Sequence, residues 1–467
     1  MRRTPAIFLL VLLATLPAAA DDSAWSSLAE EDRAGVESTA GEFLAFIAKA
    51  RTERTAVREL VAAAEAAGFR ALGPDSEWKP GARFYDTNRS QALVLVVCGE
   101  KPASEGLRVA AGHVDSPHLS LKSRPVYSSW GFALLQTNSH GGIKNYQWAN
   151  VPLALLGEAV KKDGTRVEIE FGLSAEDGAL VIPDLAPHED KEYRDRKQTE
   201  VLGAEELDPI AASKDSKGKS VEDEVWDLLR SRYGLEKDDL VSAELAIVPA
   251  NEPRSVGLDG SMIGAYGLDD RLCSWASARS LLEIGTPPHA SVVYLTDNEE
   301  VGSVGNTGAG SAYFTGLVGR LLALEGVSDE NRLRQALRRS LVLSADCTTG
   351  VHPTFSGAHE TTNAARLGRG VVLKMYGKGM NANPTFTAHV RRILDEGKTP
   401  WQVHTYKVGV GGGGTIGQFF TALDMEVIDV GVPLLAMHSP FEIASKVDLW
   451  HYVRFTRSFF EDPGALD

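Results

Sequence analysis

Two adjacent glutamates, Glu299 and Glu300, follow the apolar run at residues 291–294 in the stretch Leu295-Thr296-Asp297-Asn298-Glu299-Glu300. Such a run reads as a buried strand emptying into a loop, where successive side chains diverge. One acid can then hold a cation while its neighbour faces a bound water, the division of labour that metal-assisted hydrolysis needs. Four more segments share this layout. Residues 107–112 lead into His113-Val114-Asp115, residues 264–268 into Asp269-Asp270, residues 341–345 into Asp346, and residues 427–433 towards Met437-His438. His113 and Asp115 form a His-x-Asp unit, in which the carboxylate can take the second imidazole N–H and fix the tautomer. Taken singly, each also has an ordinary reading: an acidic turn, a helix N-cap at Asp269, a loop aspartate, a core histidine. Together they supply two imidazoles, three ligating carboxylates and one carboxylate left over as a base, the inventory of a two-metal hydrolytic centre. Such donors suit zinc, manganese or cobalt without a thiolate.

Residues so far apart in the chain meet only if several strands end together. Open α/β sheets do this, gathering ligands beyond the carboxyl ends of their strands. Apolar residues at helical spacing through Phe43, Phe46, Ile47, Val57, Leu60 and Val61 predict one or two helices over residues 37–72, packed on the sheet. Strands are expected at 92–97 and 107–111, and an amphipathic helix from Asp269 to about Ile284. Between His113 and Asp269 lie β-like runs at 166–171 and 180–182, separated by turn signals. Ligands on both sides of that region predict a discontinuous catalytic domain, residues 21–121 and 252–467, with a mainly-β domain inserted at 122–251. Within the insert, residues 188–224 are densely charged with mixed sign and read as a solvated loop. The glycine-rich stretches 302–310 and 409–415 lack the Gly-Lys-Ser/Thr ending of a phosphate loop. Close approach of backbone to substrate accounts for them better.

In this order along the chain, the blocks Gly112-His113-Val114-Asp115-Ser116-Pro117, Leu268-Asp269-Asp270, Asn298-Glu299-Glu300-Val301-Gly302-Ser303, Val351-His352-Pro353, Gly413-Gly414-Thr415-Ile416-Gly417 and Met437-His438-Ser439 carry a pattern. The chain resembles the M18 family of metallo-aminopeptidases, which includes aspartyl aminopeptidase and vacuolar aminopeptidase I. The run 141–148 looks more like the family's bacterial branch. The resemblance implies an α/β/α catalytic domain with a mixed sheet, two divalent metals per subunit, zinc foremost, and peptide substrates cut at the N-terminus. By the same resemblance Asp269 bridges the metals, His113 and Asp346 complete one, and Glu300 and His438 complete the other. Glu299 is implied as the general base acting on the water between them, and Asp115 as the partner of His113. His352, Lys374, Gly413 and Gly414 are implied to touch substrate, and His188 to be offered across a subunit boundary. The family's assemblies are large homo-oligomers, commonly dodecamers. Gly414 departs from the pattern, standing where many members carry serine.

Met1-Arg2-Arg3, the apolar stretch 6–16 and Pro17-Ala18-Ala19-Ala20 read as a secretory signal peptide cut after Ala20, with export to the periplasm or beyond. The apolar run is too short to span a bilayer. The chain carries a net charge of −15, which becomes −17 without the two leader arginines. An acidic protein of this kind is a poor match for nucleic acid or anionic membrane. Three cysteines, Cys98, Cys273 and Cys347, are too few for a disulfide framework, and their apolar contexts predict buried free thiols. Two other functions fit the same residues. A carboxypeptidase or N-acyl-amino-acid deacylase would need a cationic pocket, for which Arg366, Arg369 and Lys374 are available. A catalytically silent assembly protein on the same scaffold predicts a lost base or ligand, and all six positions are filled.

Overall fold

Four runs rich in valine, leucine and alanine form the centre of a nine-stranded sheet: β1 (Leu107–His113), β2 (Ala290–Thr296), β3 (Leu341–Ala345) and β4 (Glu426–Gly431). They are parallel to one another, in the spatial order β2-β1-β3-β4. Strands buried on both faces need no polar alternation, which is why these segments read as unbroken apolar runs. Antiparallel neighbours flank the parallel core, Ala92–Val97 beside β2 and Val371–Lys374 beside β4. The computed structural model of the protein describes residues 23–466 except 175, 361, 378 and 379; the expected leader and its cleavage site lie outside these residues.

Alternate side chains divide between two cores. Leu93, Leu95 and Val97 join Val293, Leu343 and Ile428 on one face, beneath the helices Arg33–Lys49, Glu53–Ala66, Leu268–Glu283, Pro384–Glu396 and Lys446–Glu461. Val94 and Val96 join Val109, Val292 and Val342 on the other, beneath Tyr313–Leu324 and Glu330–Arg338. This is the expected mixed-sheet α/β/α arrangement. The helical stretch expected over 37–72 is two helices, broken at Thr52, whose side chain caps the second by accepting from Thr55 N.

The helix Leu268–Glu283, here α1, differs from the amphipathic one expected. It lies between the sheet and Lys446–Glu461 and is buried on nearly every side, serines included. Ser280 Oγ donates to the carbonyls of Ala276 and Val453, and Ser274 Oγ to that of His113, so these hydroxyls are satisfied without water.

Residues 118–249 build a second, six-stranded antiparallel sheet, from His118–Ser129, Phe132–His140, Leu153–Val160, Arg166–Phe171, Ile210–Ala212 and Ala243–Pro249. It has its own core of Leu119, Trp148, Leu155, Ile169 and Ile247, closed by the helix Val221–Tyr233. The strand at 166–171 lies where the alternation predicts; residues 180–182 make only isolated bridges, to Leu153, Ile210 and Ala149. The charged stretch from His188 onwards is mostly exposed. A third, five-stranded sheet contains Met262–Ala265, Thr348–Thr349, Pro433–Leu435 and Glu442–Ser445. No helix among the described residues is long and apolar enough to cross a membrane.

Leu95 is fully buried between β2 and the helices, so Leu95→Ala should lower stability by about 2–5 kcal/mol. The fully exposed Leu258, changed to Ala, should stay within about 0.5 kcal/mol of the parent. Paired urea titrations check both.

Candidate metal centre

The parallel strands end level with one another: His113 on β1 lies opposite Thr296 on β2, and Ala111 opposite Ser344 on β3. The chain runs from β1 to β2 on one side and then to β3 on the other, so the switch in strand order falls between β1 and β3. His113 closes β1 and Asp346 follows β3, placing one on each side of that switch point. Asn298, in the left-handed conformation, turns the chain after β2 and presents Glu299 and Glu300. Its amide donates to Asp297 Oδ2 (2.8 Å) and Thr307 Oγ1 (3.1 Å), which fixes that turn.

The two oxygens of Asp269 face different imidazoles. Oδ1 lies 3.6 Å from His113 Nε2, and Oδ2 lies 3.3 Å from His438 Nε2. His113 Nε2 is also 4.0 Å from Asp346 Oδ1, and His438 Nε2 is 3.3 Å from Glu300 Oε1. His113, Asp269 and Asp346 thus form one group of donor atoms, and Asp269, Glu300 and His438 a second that shares Asp269. The rear nitrogen of each ring is occupied. His113 Nδ1 sits 3.1 Å from Asp115 O and 3.2 Å from its Oδ1, while His438 Nδ1 bonds to Gly142 O at 2.8 Å. With Nδ1 held from behind, each ring turns its Nε2 towards the acids, where a cation would take it as a donor.

Asp269 Oδ1 and Glu300 Oε1 are buried without a hydrogen-bond partner. Burial lifts Asp346 to about 6 despite Lys374, with Asp269 adding to the rise. Burial likewise lifts Glu299 to about 8; His113 opposes the rise, while Asp346 and Glu300 add to it. Although burial lowers the basicity of His438, Asp269 and Glu300 raise it to about 12. Crowded like charge, bare carboxylate oxygens and two oriented imidazoles are together a donor set for divalent cations. Glu299 stands beside them and shares in a further group with His113 and Glu300. The cleft above, about 610 Å³, is lined by Ser303, Thr349, Tyr406, Gly412, Gly413, Gly414, Gln418 and Met437 as well as by the ligands.

A second layer holds these groups, and most of it escaped the sequence reading. Asp115, expected only behind His113, also accepts from Glu299 N (3.1 Å), Glu300 N (3.2 Å) and His140 Nε2 (2.9 Å). His140 stacks on His118 with ring centroids 4.3 Å apart. Buried Glu442 accepts from Leu268 N (2.6 Å) and Asp269 N (3.2 Å) through one oxygen and from His438 N (2.6 Å) through the other. The only sequence signal for it was its place four residues after His438.

Two residues expected at the substrate, Lys374 and His352, stand elsewhere. Lys374 is buried behind Asp346, its ammonium on Cys347 O (2.7 Å) and Asp346 Oδ2 (3.1 Å), so it positions a ligand instead of facing the cleft. His352 lies beyond the lining residues, its ring against Phe355. His188 is exposed on the charged stretch of the second sheet's region, away from its own chain's cleft. Gly413 and Gly414 do line it.

The family model for aminopeptidase I zinc metalloproteases (M18) matches residues 46–460. The chain belongs to the M18 family. It is therefore a hydrolase acting at peptide N-termini. A Clostridium acetobutylicum protein described as "Probable M18 family aminopeptidase 1" is 38% identical over 443 residues, 92% of this chain and 95% of that one. The M18 aminopeptidase structure from Thermotoga maritima superposes with a TM-score of 0.89 at 37% identity, covering 94% of this chain and 99% of the other. The S. cerevisiae mApe1 dodecamer shares the fold, with a TM-score of 0.74 at 22% identity over 91% and 97% of the two chains.

Asp115 fixes the M18 ligand His113 and the Glu299-Glu300 turn together, so Asp115→Asn should weaken metal affinity about 10- to 100-fold. Competition against a chromogenic chelator, with circular dichroism to verify the fold, measures this.

Proposed function

We propose that the protein is an exported dinuclear aminopeptidase, with zinc the first choice of metal. The observation that carries the dinuclear reading is Asp269, whose two oxygens each face a different histidine. In this reading Asp269 is shared, His113 and Asp346 complete one site, and Glu300 and His438 complete the other. Bound there, two cations would polarise a peptide carbonyl and acidify water. The rest of the chemistry belongs to side chains. Glu299 takes a proton from the attacking water on a carboxylate oxygen and returns it to the leaving amine nitrogen. Its backbone N–H on Asp115 keeps that carboxylate from swinging away. Gly412, Gly413 and Gly414 leave room for a peptide to lie against the main chain.

Among the described residues that line the cleft there is no lysine or arginine, and Lys374 is engaged behind it. An acidic first residue would find no cation among these described residues, so the site favours neutral N-terminal residues. The same lack of a cation disfavours carboxypeptidase action, which must bind a terminal carboxylate. The leader sequence supports export with a mature start at Asp21, which Edman sequencing of the secreted protein would read. The likeness to the dodecamer supports a homo-oligomer built the same way, with the second sheet a candidate for subunit contacts.

Glu299→Gln should lower kcat by about 10²–10⁴-fold while keeping the metal content of the parent; full activity in that variant would remove Glu299 as the base. Asp269→Asn should instead lose at least one metal by elemental analysis. A pool of peptides with free and acetylated N-termini, digested with zinc and with a chelated control, tests the activity itself. Stepwise loss from the free set alone is expected, with neutral residues released faster than Asp or Glu. Cleavage of acetylated peptides, or from C-termini, would overturn the reading.

A further inference from the structure

All three cysteines are free and buried, as their apolar contexts predict, and two of them lie together. Cys273, on α1, and Cys347, just after β3, place their sulfurs 3.5 Å apart; both are buried, with Cys347 at the wall of the catalytic cleft. The carboxylate of Asp270 completes the group, with one oxygen and the two sulfurs all within 4.8 Å of one another. We propose that Asp270, Cys273 and Cys347 form a second kind of metal site, for a zinc-class divalent ion, separate from the oxygen and nitrogen donors of the catalytic cleft.

The spacing favours this over a disulfide. Two sulfurs on one tetrahedral zinc, each about 2.3 Å from the ion, stand about 3.8 Å apart. A disulfide requires about 2.05 Å. Thiolate donors with a carboxylate also suit zinc by softness. Asp270 accepts from Cys347 N (3.1 Å), at long range from Ser274 Oγ (3.4 Å), and from the Cys273 thiol, the partner an ion would replace. A carboxylate offers about four lone-pair directions. Two hydroxyls in the same core, Tyr452 Oη and Ser277 Oγ, are buried with no hydrogen-bond partner among the described residues.

Each proposed ligand is tied to the catalytic set by the chain itself. Asp270 follows Asp269, and Cys347 follows Asp346. An ion here would clamp the start of α1 to the segment after β3, fixing the separation between a shared carboxylate and its neighbour.

The test is cobalt substitution of the full-length, reduced protein, followed by near-ultraviolet absorption and metal counting. Oxygen and nitrogen donors give no thiolate-to-cobalt charge-transfer band, so such a band reports this site whether or not the enzyme turns over. We expect the band, with one equivalent of metal beyond the catalytic pair, and loss of both in Cys273→Ala. A folded, reduced protein with no band would overturn the site without touching the aminopeptidase reading. So would a mass two units low with both thiols blocked to alkylation, which would mean a disulfide. The wild-type spectrum decides the question even if Cys273→Ala fails to fold.

Discussion

Four carboxylates packed at the ends of parallel strands repel one another, and burial makes their charges costly. Much of the surrounding structure answers that repulsion. Lys374 lies against Asp346, backbone N–H groups point at Asp115 and Glu442, and two imidazoles turn their Nε2 edges towards the acids. These groups hold the acids in place without neutralising them, which leaves the remaining charge for cations. A site with fully matched charges would be more stable and would bind nothing.

The supporting layer comes from all three sheets. Glu442 reaches the start of α1 from the third sheet and holds Asp269 and His438 through its two oxygens. Gly142 lies just beyond the hairpin of the second sheet and fixes His438 through its carbonyl. Its neighbour Gly141 sits in the left-handed region, and a Cβ there would stand 3.0 Å from Glu300 Cβ. Glycine thus answers both a backbone conformation and a close approach.

The ligand types were legible because each sits where an apolar run stops, and such a break in pattern survives in a single sequence. The parallel strands were legible for the same reason. What supports the ligands was not. Glu442 and His140 act across sheets, on Leu268, 174 positions away, and on Asp115, 25 positions away, and no helical or strand periodicity marks either pairing. The polarity of α1 misled for a different reason: Ser274 and Ser280 return their hydroxyls to backbone carbonyls, so a helix that reads amphipathic is buried all round. Lys374 shows the limit of carrying a role over by position. A lysine at the end of a strand can serve substrate or ligand, and only its partners decide which.

Coupling between the sheets also bears on why the chain interrupts its catalytic unit between His113 and Asp269. The strand that opens the second sheet begins at His118, directly after the His113–Asp115 unit, and its hairpin partner ends at His140 on Asp115. The sheet's last strand then returns the chain to Met262–Ala265 and α1. The second sheet therefore leaves and re-enters beside the ligands, and its first hairpin carries both His140 and the glycine pair that orients His438. Loosening that hairpin would disturb Asp115 and His438 together while leaving the nine-stranded core intact. Ligand geometry and the second sheet are in this sense one structural unit, although the candidate ligands follow strands of the first and third sheets.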